Sequence, residues 1–127
     1  MNFQIYDLRG HKIRLFIEED MVAVSINEKN IFFFNYPDFK NLYIPVCVSL
    51  ANKEHKRIYF DSFYTEIQET FLQEVYLVFY EDIGYNVEIN KPILTLEMSR
   101  GLFFDFTKMV TRLFDFLGFA DQDWVVI

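Results

Sequence analysis

The sequence has little of the chemistry on which disulfide bridges and zinc sites depend. It contains one cysteine, Cys47, so no disulfide can form within the chain. Its two histidines, His11 and His55, are far apart in sequence, whereas zinc sites need clustered Cys and His. Cys47 lies in the apolar run 44–48, which predicts a buried structural thiol, and no motif fixes a nucleophile–base pair of Cys47 with His55.

Glycine, proline and long apolar segments are also scarce. The four glycines stand apart from one another, which excludes both a Walker A loop and a dinucleotide-binding fingerprint. No apolar run approaches the roughly 18 residues that a membrane-spanning helix needs. Residues 1–7 lack the basic and apolar regions of a secretory signal peptide. We therefore expect a cytoplasmic protein without metal, cofactor or membrane association.

Aromatic residues and, in one part of the chain, negative charge are in excess. The 127 residues include 16 Phe, 8 Tyr and 1 Trp, and disordered chains are poor in aromatics. The net charge is −7, but residues 1–60 carry 8 Lys and Arg against 7 Asp and Glu, whereas residues 61–127 carry 4 against 12. This acidic balance argues against nucleic-acid binding, which needs clustered Lys and Arg, and permits a basic protein partner; the alternative is that the acidity serves solubility alone.

The first half of the chain alternates apolar and polar residues, as half-buried strands do. In 12–18 the residues Ile13, Leu15 and Ile17 share one face, and 21–26 repeats the pattern. A meander of strands is therefore predicted over 3–8, 12–18, 21–26 and 31–34. Another strand is predicted within 43–50, where Pro45 makes it either an edge strand or one that begins after the proline.

The second half of the chain predicts two helices and a hairpin. Phe63, Ile67, Phe71 and Val75 recur at helical spacing, which favours a helix over 62–80, although the end of this segment is β-branched and aromatic and also suits a strand. Segments 85–89 and 93–98 alternate and predict a hairpin. A second helix is predicted between an N-cap at Ser99 and a C-terminal glycine at Gly118, with an apolar stripe of Phe103, Phe106, Val110, Leu113 and Leu117.

These elements predict an α+β protein: one domain over 1–127, with an antiparallel sheet of about five to seven strands and two helices packed against it. Because no catalytic constellation is recognisable, we expect a binding protein rather than an enzyme. An acidic rim around aromatic anchors would suit a basic protein partner. The candidate partner-binding residues are the acids of the predicted helices and of the C-terminal segment: Glu66, Glu69, Glu74, Asp105, Asp115, Asp121 and Asp123.

In size, acidity and lack of motifs the chain resembles the small immunity proteins of bacterial toxin systems. It resembles type III secretion chaperones less closely, because their profile opens with a helix and this chain opens with strands. The first resemblance implies an inhibitor that occludes a basic toxin domain, and it assigns no residue. The alternative is a structural or self-associating module, a homodimer that forms through an aromatic-rich surface.

The core assignment can be tested at Phe106. Replacing Phe106 by Ala should lower the free energy of unfolding by about 3–5 kcal/mol if the ring is buried in the core. Chemical denaturation measures the change. A loss below about 1 kcal/mol, the usual size for a surface substitution, would show that this helix face is wrongly assigned.

Overall fold

The computed structural model describes residues 1–59, 63–68, 74–80 and 92–119. Within these ranges the chain forms strands and helices in an order that separates two groups of strands by a helix. The elements are β1 (Asn2–Tyr6), β2 (Lys12–Glu18), β3 (Met21–Ile26), β4 (Asn30–Phe34), α1 (Tyr36–Ala51), β5 (Lys56–Tyr59), β6 (Phe63–Gln68), β7 (Glu74–Tyr80), β8 (Pro92–Ser99) and α2 (Arg100–Phe116).

The described strands form two antiparallel sheets of four. The first sheet has the order β1-β2-β3-β4, and the second has the order β5-β6-β7-β8. Since α1 follows β4, the series of hairpins that builds the first sheet stops there, and a new series starts at β5. The α+β class is confirmed, but the prediction of one sheet with five to seven strands is corrected to two sheets.

The first sheet follows the predicted meander closely. Val22, Val24 and Ile26 are fully buried on one face of β3, as their alternation predicts. The turn from β3 to β4 has positive φ at Asn27 and Glu28, 52° and 62°, as a type I′ turn requires. The alternation is clearest in β2, where Ile13 and Leu15 are buried and Arg14 is exposed, whereas in β3 the residues Ala23 and Ser25 of the other face are buried as well.

The strand predicted within 43–50 is wrong, because these residues belong to α1. The Oδ1 atom of Asn35 accepts a hydrogen bond from the Asp38 N–H at 2.8 Å and caps the helix, and Pro37 occupies its first turn. Pro45 lies inside the helix. The buried residues of α1 recur at helical spacing, and their packing in the core outweighs the unfavourable effect of the proline and the β-branched residues on a helix. These buried residues are Phe39, Leu42, Val46 and Leu50.

The helix predicted over 62–80 is also wrong. Its described residues form β6 and β7, which pair antiparallel with Ile67 opposite Val75. The apolar spacing of four residues that suggested a helix is also an even number, so in a strand it keeps these side chains on one face. The β-branched and aromatic end of the segment was the better indicator.

The predicted second helix is confirmed as α2. The Ser99 Oγ accepts a hydrogen bond from the Leu102 N–H at 3.2 Å, and Gly118 has a positive φ of 90°. The Gly118 N–H bonds the Asp115 carbonyl and the Phe119 N–H bonds the Phe114 carbonyl, which together form a Schellman motif. Of the predicted hairpin, segment 93–98 lies in β8, whereas 85–89 lies outside the described residues.

The core lies between the two sheets and the inward faces of the helices. Phe32 of the first sheet stacks on Phe79 of the second with ring centroids 3.9 Å apart. Phe34 meets Phe63 edge-on at 5.1 Å, and Phe106 of α2 is fully buried, as predicted. Cys47 is also buried, and its burial raises the pKa of the thiol, which disfavours the reactive thiolate.

A buried carboxylate joins the edges of the two sheets. Asp7, whose side chain is fully buried, follows β1 and accepts hydrogen bonds at Oδ1 from the N–H groups of Arg9 (3.1 Å) and His11 (2.7 Å). At Oδ2 it contacts the His11 Nδ1 atom (2.9 Å) and accepts a bond from the N–H of Glu97 on β8 (3.0 Å). The Leu8 N–H bonds the Glu97 carbonyl at 2.8 Å. We call this arrangement the Asp7 latch.

The Asp7 latch can be tested by replacing Asp7 with Asn. The carboxylate oxygens now accept hydrogen bonds from N–H donors, whereas the amide of the variant would place its own N–H donors against them. The free energy of unfolding should therefore fall by about 2–4 kcal/mol. Chemical denaturation measures the loss. Replacing Glu28 by Gln is the matched control, because Glu28 forms an exposed ion pair with Lys12. Equal effects from the two substitutions would contradict the assigned role of Asp7.

Candidate binding surface

The outer face of the second sheet carries a row of charged and aromatic side chains that crosses all four strands. The pairing register places Arg57 of β5 opposite Glu66 of β6, Glu66 opposite Tyr76 of β7, and Tyr76 opposite Glu97 of β8. Because alternate residues of a strand point to opposite faces, these four side chains stand on the face away from the core. We call them the outer row.

Ion pairs order the two ends of the outer row. Glu66, whose side chain is only 14% exposed, lies 3.4 Å from Arg57 Nε and 3.4 Å from His55 Nε2. At the other end the Arg9 Nε atom donates to the Glu97 Oε2 at 2.9 Å. Arg9 belongs to the same turn as the Asp7 latch, so the first sheet contributes a cation to this face of the second sheet.

Tyrosine rings lie beside the outer row. Tyr59 and Tyr64, which face each other across β5 and β6, have ring centroids 5.5 Å apart, and Tyr64 lies 6.0 Å from Tyr80. The Arg57 guanidinium stands over the Tyr64 ring at 5.6 Å, within the range of a cation–π contact. Tyr59 remains 45% exposed. Tyr64 is partly buried and Tyr80 is buried, so Tyr59 is the most accessible of the three rings. Exposed aromatic side chains held by their neighbours are typical of binding surfaces.

Hydrogen bonds, burial and neighbouring charges raise the pKa values of three side chains on this face. A hydrogen bond to Glu74, together with burial, raises the pKa of Tyr76 to about 12. Burial raises the pKa of Tyr64. The pKa of Arg57 is also raised, first by a hydrogen bond to Tyr59 and to a smaller extent by the negative charge of Glu66. The phenols therefore stay neutral and Arg57 stays charged at neutral pH.

Two of the predicted partner-binding residues lie on this face. Glu66 belongs to the outer row, and Glu74 points the same way from the start of β7. They reach it from strands, not from the predicted helix. Glu69, Asp121 and Asp123 lie outside the described residues.

The other two predicted residues, Asp105 and Asp115, are exposed on α2. This helix packs on the core through residues such as Phe106, so its exposed side faces away from the core. Lys108 and Arg112 are exposed on the same helix and offset the charge of both aspartates. The structure therefore does not bring Asp105 and Asp115 together with Glu66 and Glu74.

Sequence reasoning missed the remaining members of this surface. The predicted helix over 62–80 included Tyr64, and the residues Arg9, Arg57 and Glu97 were not among the candidates. The alternation of Tyr64, Glu66 and Gln68 with buried residues of β6 is the signal that would have found the face. The contact between Arg9 and Glu97 joins residues 88 positions apart, and no local pattern reveals it.

The described residues contain no group of three or more His, Cys, Asp or Glu side chains arranged to hold a metal ion. None of the helices in the described part of the chain is long and apolar enough to cross a membrane. No protein-family model, curated protein or solved structure matches the chain. The outer face of the second sheet is therefore described from its own residues and their contacts.

The hydrogen bond between Tyr76 and Glu74 predicts how Tyr76 titrates. The fold favours the protonated phenol, so this contact stabilises the protein below pH 10, and the stabilisation is lost as the pH rises toward about 12. Replacing Glu74 by Ala should return the pKa of Tyr76 toward 10. Ultraviolet absorbance of tyrosinate measures the titration, and a Tyr76→Phe variant assigns it. Tyr43, whose pKa burial also raises to about 12, should not move. An unchanged Tyr76 titration would contradict the contact.

Proposed function

We propose that this chain is a non-enzymatic inhibitor that binds a basic protein domain through the outer face of its second sheet. The observation that carries the proposal is the outer row with its flanking tyrosines: aromatic rings, one guanidinium and two carboxylates held in place by mutual contacts. Tyr and Arg dominate the energy of protein interfaces because they supply large contact areas together with polar ends.

The side chains of this face are already fixed by contacts with one another, which supports a binding role. Association costs free energy when long side chains must be fixed, on the order of 0.5–1.5 kcal/mol for each one. Glu66 and Arg57 hold each other, Arg9 holds Glu97, and Tyr64 is enclosed by Tyr59 and Arg57. A partner that docks here would therefore order few additional groups.

The negative charge of the second half of the chain supports a basic partner. Residues 61–127 carry an excess of eight negative charges, and seven of their twelve acidic residues lie outside the described residues. Complementary charge accelerates encounter and rejects acidic partners. A nuclease toxin is basic because it grips phosphates, so an acidic immunity protein in the cytoplasm is the reading that we propose. In this role the chain occludes the toxin and catalyses nothing.

The proposal can be tested by capturing the partner from cells of the source organism and measuring its binding kinetics. We expect a partner with a strongly basic domain and an association rate that falls as the salt concentration rises. Tyr59→Ala should weaken binding at least about tenfold, the effect typical of an interface anchor. Glu74→Lys should slow association while dissociation changes little.

Matched controls lie on other faces of the molecule. Tyr6, on the first sheet, is 54% exposed, close to the 45% of Tyr59, so Tyr6→Ala should leave binding unchanged. Asp105→Lys introduces on α2 the same charge change as Glu74→Lys and should leave the association rate nearly unchanged. An acidic partner, or equal effects from the site variants and their controls, would refute the proposal.

A further inference from the structure

Strand β4 is an edge of the first sheet that the described structure leaves open. It pairs with β3 only, and its residues donate or accept no backbone hydrogen bond with any other described element. Its sequence, Asn-Ile-Phe-Phe-Phe, contains neither charge nor proline. Apolar edge strands without charge or proline are templates for pairing with another strand, unless the protein protects them.

The other described edges are protected. β1 and β8 are tied together where the Leu8 N–H bonds the Glu97 carbonyl and Asp7 bonds the Glu97 N–H. β5 is only four residues long and begins with Lys56 and Arg57, both exposed. Short length and positive charge are two devices by which proteins block edge pairing. β4 has neither.

β4 is packed against the core on its inner side and is apolar on its exposed side. From within, Phe32 stacks on Phe79, which fixes the strand against the core. On the outer face Ile31 is 50% exposed and Phe33 is 45% exposed, and Phe33 lies opposite the buried Ala23 of β3. An exposed apolar pair on an open edge indicates a site at which another strand buries these side chains.

We propose that β4 pairs antiparallel with β4 of a second copy of this chain, about a two-fold axis at Phe32. This register pairs the whole length of both strands and sets Ile31 of one copy opposite Phe33 of the other. The two first sheets then form one continuous sheet of eight strands across the dimer. Because the axis is two-fold, both edges are used and the assembly closes as a dimer rather than growing into a fibre.

Charge favours a second copy as the occupant. β4 is uncharged, so the two strands bring no like charges together. The part of the chain that builds the first sheet is nearly neutral, since residues 1–34 carry 4 Lys and Arg against 5 Asp and Glu, and the acidic excess lies in residues 61–127. Two copies therefore meet through their least repulsive region. The outer row lies on the other sheet, so this proposal does not rest on the proposed function.

The experiment is sedimentation equilibrium of the full chain from about 1 to about 100 μM, a range that resolves micromolar dissociation constants. We expect a concentration-dependent rise from 15.4 kDa toward twice that mass. Ile31→Lys and Phe33→Lys should each raise the dissociation constant at least about tenfold, because a buried lysine at the pairing edge is costly. Added salt should not weaken the dimer, since apolar contacts and backbone hydrogen bonds hold it.

Val48→Lys is the matched control. Val48 lies on α1 and is 47% exposed, between the values for Phe33 and Ile31, so this variant should dimerise like the wild type. Far-ultraviolet circular dichroism checks that each variant is folded. A wild-type chain that stays at 15.4 kDa throughout the range, or a dimer that Val48→Lys weakens as much as Phe33→Lys does, would overturn the proposal.

Discussion

The described arrangement of the two sheets depends on one buried carboxylate. Strands β1 and β8 come from opposite ends of the chain, and Asp7 joins them by accepting bonds from its own turn and from the Glu97 N–H. A buried carboxylate is stable only when donors surround it, and here backbone N–H groups and the His11 ring supply them. The apolar core holds the sheets together, whereas the Asp7 latch fixes which edges meet.

The Asp7 latch also connects the fold to the candidate surface. Glu97 donates its backbone N–H to Asp7 and directs its carboxylate to Arg9 at the end of the outer row. The turn that buries Asp7 therefore positions a cation of the first sheet on the outer face of the second. From there the row continues through Tyr76 to Glu66, in an alignment that the pairing of β6, β7 and β8 sets.

The sequence predicted the elements in which apolar residues recur at a single period, namely the meander of the first sheet and α2 with its caps at Ser99 and Gly118. The sequence pattern gave a wrong prediction where the helical and strand periods coincide, because a spacing of four between Phe63 and Ile67 fits both a helix and a strand. It also misled where Pro45 stands inside a helix that core packing stabilises. For the surface, residue type identified Glu66 and Glu74, but contacts distant in sequence decide which acids stand together, and no local pattern encodes them.

The most direct test of the binding surface is amide hydrogen exchange of the full chain with and without its captured partner. Exchange reports local opening, so a docked partner should slow it in the strands that it covers. The account predicts that protection gained on binding concentrates in β5, β6 and β7, around Tyr59 and Glu66. Protection confined to α2 or to the first sheet, with exchange in β5 to β7 unchanged, would contradict it.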